Sequence, residues 1–149
     1  MARSFAVWSE SGGPGKTTNS MQISAAIARD GYDVLAIDLD PQRGALTHYA
    51  GYGHLDHDEL DDDGNVTNEV EPTIMDVFFD GVDPRDIIVE TPHFDLLPGH
   101  EDLANFDSEL QSSGRRGIDQ YNVVREQLED LASDYDIVIL DCQATLSDL

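Results

Sequence analysis

Residues 9–18 read S-E-S-G-G-P-G-K-T-T, three glycines and a proline running into a lysine and two hydroxyls. Residues of these types in this order can hold phosphate. The backbone N–H groups of a tight glycine turn surround phosphate oxygens, and a following helix points its positive end at them. A lysine then neutralises charge and a hydroxyl takes a divalent cation. Gly12, Gly13 and Gly15 supply the backbone freedom, and Lys16 and Thr17 stand at the charge and metal positions with Thr18 beside them. Pro14 gives up one N–H but presets its own φ. The common spacing G-x-x-x-x-G-K-[ST] wants glycine where Glu10 stands. Taken alone, the stretch also reads as a plain turn between a strand and a helix.

Three aspartates complete the candidate chemistry. Asp38 and Asp40 follow the apolar run 34–37, and Asp141 follows I-V-I-L. If these runs are parallel strands, all three carboxylates emerge at the carboxyl edge of one sheet, beside the glycine loop, where ligands bind in such sheets. An aspartate there suits a magnesium-associated position; the alternative is an ordinary strand-terminating aspartate.

The elements that must position these residues follow from the apolar pattern. Residues 4–8 form a short apolar run, 16–29 a helix ended by Asp30-Gly31, and 34–37 a second run. Strand, loop, helix, strand is the βαβ pattern, and near-continuous apolar runs suit strands buried on both faces. From 51 to 72 the chain turns to Gly, His, Asp and Glu, which reads as a solvated acidic loop. Its D-D-D-G-N resembles a calcium loop only superficially. Registering Gly64 at the sixth position puts Glu59 first and Val70 twelfth, where Asp and a bidentate Glu belong. His48, His54 and His57 lack ligand spacing and read as surface residues. Thr73 caps a short helix T-I-M-D-V-F-F, and 87–89 and 94–97 are strand candidates. Ile118, Tyr121, Val124, Leu128 and Leu131 mark one helix face, and the chain closes on a buried-strand pattern into Asp141. No internal repeat is visible.

Bulk composition narrows the class. There are 31 acidic and 8 basic residues, a net charge of -23, and Lys16 is the only lysine of the 149 residues. An acidic coat with arginine in place of lysine is expected of a high-salt, halophilic cytoplasm, where screening removes self-repulsion; an acidic partner surface is the alternative. Either way the charge opposes direct DNA binding by this segment, with Arg115-Arg116 the only adjacent basic pair. One cysteine, Cys142, excludes a disulfide framework. The opening apolar run is too short for a signal peptide and no run approaches a membrane span. The expectation is a single domain over 1–149, cytoplasmic and away from membranes.

G-G-P-G-K-T-T, D-L-D-P-Q and I-V-I-L-D-C-Q-A, in that order, resemble the deviant Walker A, Walker A′ and Walker B motifs of the ParA/Soj chromosome- and plasmid-partition ATPases, within the ParA/MinD class. F-D-L-L-P-G-H-E-D-L-A-N-F-D-S-E-L is similar to that family's strand, Pro-Gly turn and helix. With the acidic coat, the resemblance suggests a haloarchaeal member. It implies an α/β P-loop NTPase fold, a parallel sheet flanked by helices, cut short after the Walker B strand. ATP and Mg²⁺ are the implied cofactors. Lys16 would bind the β- and γ-phosphates, Thr17 Mg²⁺ and Thr18 the α-phosphate. Asp40 would position the attacking water, Asp38 would lie by the Mg²⁺ shell, and Asp141 would hold the metal through water. A nucleotide-dependent homodimer and a ParB-like DNA-bound partner are implied. Two features depart from the family. Ser11 stands where the deviant loop carries a signature lysine that reaches across the dimer, for which Arg43 is a conceivable substitute; and family members are considerably longer. A MinD-like positioning ATPase is the nearer rival, set back by D-P-Q. A nucleotide-binding module without turnover is the other.

Overall fold

A computed structural model describes residues 3–7, 15–113 and 119–143, and the backbone alone of 119–121. Ser11, Gly12, Gly13 and Ile118 therefore lie outside the described residues, as does the side chain of Tyr121. Four strands run parallel: β1 (Arg3–Val7), β2 (Val34–Leu39), β6 (Asp95–Leu97) and β7 (Ile137–Cys142). A short β5 (Val89–Glu90) pairs antiparallel with β6, giving the order β1-β7-β2-β6-β5. The sheet is thus not wholly parallel. Thr91 N–H reaches the carbonyl of Phe94 at 3.1 Å, and a connection this short permits only a hairpin.

The sequence of β2 explains its central place. Leu35 and Ile37 face one side, into a core with Ile74, Val77 and Phe78 of α2 (Ile74–Phe79), Leu110 of α3 (Phe106–Ser112), and Val123, Leu128 and Leu131 of α4 (Asp119–Ala132). Val34 and Ala36 face the other, packing with Leu96, Ile139 and the Met21, Ala25 and Ala28 side of α1 (Lys16–Arg29). Side chains alternate across a strand, so a continuous apolar run is buried on both faces. Helices cover both faces of the sheet, the α/β arrangement expected. At its β1 edge the cover is thin, and Phe5 is 50 % exposed.

Helix α1 has the limits read from the sequence, and Gly31 takes the left-handed conformation at φ 96° just past its end. Thr73 caps α2: its hydroxyl accepts from Met75 N–H, and Asp76 reaches back to Thr73 N–H at 2.6 Å. Three details differ from the reading above. β2 and β7 extend through Asp38 and Asp141, which sit opposite each other in the sheet register. The strand expected at 87–89 begins only at Val89, because Ile87 closes a 3₁₀ turn over Pro84–Asp86. The acidic loop is not featureless either. It holds a two-stranded hairpin, β3 (Glu59–Leu60) and β4 (Val66–Asn68), turned by D-D-D-G-N. Asp61 accepts from the N–H groups of Asp63 and Asn65 and from the Asn65 amide, and these bonds hold its carboxyl below the usual range. The aspartate at that turn serves its own backbone.

Candidate functional site

The carboxyl edge of the sheet and the start of α1 enclose a cleft of about 270 Å³. Gly15, at φ 95°, is the residue from which α1 departs, and Asn19 N–H closes the first helical bond to its carbonyl at 2.8 Å. No acidic residue occupies the first turn, so the positive end of α1 is not neutralised from within. Gly15, Lys16, Thr17 and Thr18 line one wall of the cleft; Asp40, Gln42 and Arg43 line the other.

Beneath the cleft lies Asp141, fully buried. Its Oδ1 accepts from Ser20 Oγ at 2.8 Å, and its Oδ2 has no hydrogen-bond partner. Burial raises its pKa. The Ser20 and Thr17 hydroxyls oppose that rise, Asp40 adds to it, and the Lys16 charge lowers it again. Thr17 therefore lies close enough to bias the ionisation without meeting hydrogen-bond geometry at Oδ2. A buried carboxylate oxygen without a donor is costly unless a cation or water completes it. Thr17, at the helix start beside it, offers a second hard oxygen. Among the described residues no three His, Cys, Asp or Glu side chains converge as a metal cage. A cation here would thus be held by few protein oxygens plus water and phosphate, the habit of Mg²⁺. The residues present fit that ion.

Asp38 is built differently. Oδ2 accepts from both the N–H and the hydroxyl of Thr47, each at 2.7 Å, and Oδ1 accepts from Asp40 N–H at 3.1 Å. Thr47 Oγ1 also accepts from Gly99 N–H at 2.8 Å. Both oxygens of Asp38 are thus engaged in bracing the chain that leaves β2. Burial is the dominant influence on it and raises its pKa to about 6 despite these donors. Asp40 stands two residues on, largely buried, with Oδ1 accepting from Gln42 N–H at 3.0 Å. This is an Asx turn, which fixes the carboxylate at the cleft wall. Cys142 adjoins the group, and burial followed by Asp141, Asp40 and Asp38 raises its thiol pKa, so it is not a ready nucleophile.

The structure brings Gly15, Lys16, Thr17, Thr18 and Asp40 to one cleft, with Asp141 below it and Asp38 behind the Asp40 turn. Sequence reasoning missed Ser20, Thr47 and Gly99. The pair Ser20 and Ser24, four apart on the buried side of α1, was the one available signal: Ser24 bonds the carbonyl of Ser20, and Ser20 is left to bond Asp141. The histidines divide. His48 and His54 are exposed as expected, whereas His57 is half-buried with Nδ1 against Asp56.

A family model described as an AAA domain matches residues 2–149. The sporulation initiation inhibitor protein Soj of Bacillus subtilis is 31% identical over 148 residues, which cover 98% of this chain and 51% of Soj. The chromosome partitioning protein ParA of Caulobacter vibrioides is 30% identical over 149 residues, covering 97% of this chain and 49% of ParA. This chain spans about half the length of these curated relatives. Among solved structures, cobyrinic acid a,c-diamide synthase from Mycobacterium smegmatis, with ADP and magnesium bound, superposes at a TM-score of 0.78 and 32% identity. That match covers 99% of this chain and 53% of the synthase.

Proposed function

This chain belongs to the AAA-domain family, and from its homology to Soj and ParA we propose that it carries the nucleotide site of a ParA-like ATPase acting in chromosome or plasmid partition. The observation that supports this best is the unpartnered Asp141 Oδ2 beside Thr17 and Lys16, at the start of α1, whose first turn holds no acidic residue. A frame shared with a diamide synthase serves more than one chemistry. The partition reading therefore rests on Soj and ParA together with D-L-D-P-Q.

In this reading Lys16 takes the β- and γ-phosphates of ATP, with backbone N–H groups from the Gly12, Gly13 and Gly15 turn, and Thr18 takes the α-phosphate. Thr17 and, through water, Asp141 hold Mg²⁺, which when bound offsets phosphate charge. Asp40, fixed by its Asx turn, orients the attacking water. Asp38 adjoins the metal shell from behind and keeps that turn in place through Asp40 N–H. The working unit is a nucleotide-dependent homodimer in the cytoplasm, stimulated by a ParB-like DNA-bound partner. This segment makes no direct DNA contact, given its charge. Among the described residues no helix is long and apolar enough to cross a membrane.

Calorimetry of MgATP binding and a phosphate-release assay, both in molar KCl, test this. Lys16→Ala should weaken binding about ten- to a hundred-fold, the worth of one charge-assisted contact. Asp40→Ala should retain binding and lose about a hundred-fold or more of turnover. Unchanged affinity in the first variant, or wild-type turnover in the second, overturns the corresponding role. Binding without turnover in the wild type would favour the module reading that Ser11 raises.

A further inference from the structure

Among the described residues, two cations line the cleft. One is Lys16; the other is Arg43, which the glycine loop's pattern does not require. Its guanidinium forks onto Glu101, Nε to Oε2 at 3.0 Å and Nη2 to Oε1 and Oε2 at 3.1 and 2.9 Å. The pair is open to water, the two side chains being 52% and 34% exposed. Exposed ion pairs typically shift an equilibrium by no more than about fivefold, a forked pair by somewhat more, so Glu101 is a ligand that Arg43 can exchange.

The backbones beneath the pair are fixed by one residue. Buried Asp56 accepts from Gly44 N–H through Oδ2 at 3.4 Å and from Glu101 N–H through its carbonyl at 2.9 Å. The Asp40 Asx turn and a turn from Ala45 N–H to the Gln42 carbonyl hold the chain around Arg43. Side-chain rotation is thus the main freedom left to the guanidinium. A polyphosphate carries more negative charge than one lysine can meet, and Arg43 is the second cation among the described residues of the lining.

We infer that Arg43 is a second phosphate ligand of this cleft, and that Glu101 is the carboxylate it exchanges for the nucleotide's phosphate oxygens. The inference rests on the nucleotide site proposed above. A guanidinium fork matches phosphate as well as carboxylate geometry, and a polyphosphate offers it more negative charge than Glu101 does.

The test is MgATP affinity by calorimetry for the whole chain, with each variant's fold checked by circular dichroism. Arg43→Ala should bind about tenfold more weakly, and Arg43→Lys should recover only part of that loss, lacking the fork. Glu101→Gln should bind a few-fold more tightly, because the competitor for Arg43 is gone. Arg43→Ala combined with Glu101→Gln should match Arg43→Ala alone, since Glu101 acts only through Arg43. Wild-type affinity in Arg43→Ala overturns this inference, and if Lys16→Ala still abolishes binding the nucleotide site itself stands. If Lys16→Ala also binds as the wild type does, both readings fall. A gain from Glu101→Gln that persists without Arg43 would mean Glu101 repels the nucleotide directly, and the exchange would be wrong.

Discussion

Asp38 shows how a single carboxylate in this site trades ionisation against structure. It accepts three hydrogen bonds, two from Thr47 and one from Asp40 N–H, and these favour the charged form. Burial outweighs them, and its pKa rises to about 6 from an ordinary 3.8. The folded chain therefore binds this proton more readily than the unfolded chain does. Its contribution to stability is fully present below the unfolded value and is lost as pH rises through about 6. A displacement of this size corresponds to roughly 3 kcal/mol. We expect that, without added Mg²⁺, the wild type loses about that much stability relative to Asp38→Asn between pH 4 and pH 7. The variant itself should be weaker at every pH where the wild type is protonated, because an amide presents N–H to one of the donors now facing a carboxyl. Urea denaturation of both proteins across that range measures the difference, and a difference independent of pH would show that Asp38 titrates as an ordinary surface carboxylate.

Between elements, one close approach is where the chain leaving β6 crosses the end of β2. A Cβ built on Gly99 would stand 2.9 Å from both Cγ and the carbonyl oxygen of Asp38. One of these atoms is backbone, so β2 or the Pro98-Gly99 turn must move to admit a methyl. Gly99→Ala should lower stability by about 1 to 3 kcal/mol and lower ATP turnover by displacing the Asp40 turn. Stability equal to wild type in denaturant would mean that this crossing has slack. The example also marks where reading the sequence stops. Helix α1, β2 and β7 were legible because apolar runs, a left-handed glycine and strand-end aspartates are local signals, and they place Lys16, Thr17, Asp40 and Asp141 at one edge. The Thr47, Ser20 and Gly99 contacts were not legible, because Ser20 meets Asp141 across 121 residues and Gly99 meets Thr47 across 52. Nothing local in a serine or a glycine names such a partner. The β3–β4 hairpin escaped for another reason: its strands are short and exposed, leaving only the turn aspartate as a sign.

Over the whole molecule, a net charge of -23 on 149 residues sets two requirements that pull in opposite directions with salt. Self-repulsion among surface carboxylates opposes the compact state at low ionic strength, and a Debye length of about 3 Å at 1 M salt removes most of it. The fold should therefore gain stability steeply as KCl rises toward molar concentration, a change that circular dichroism through a KCl series follows directly. The phosphate contacts proposed for Lys16 would respond the other way, because screening weakens an exposed cation's hold on an anion. The buried Asp141 is screened much less, so binding should survive at molar salt in a reduced form. MgATP affinity is thus expected to pass through a maximum along the KCl series, rising as the fold is secured and falling as Lys16 is screened. Thermal melts and calorimetry on the same samples separate the two limbs. Affinity that falls monotonically from low salt, together with a melt that does not move, would mean that the carboxylates are not repelling one another in the folded chain. The acidic surface would then have to be explained by a cationic partner, not by solvation in concentrated salt.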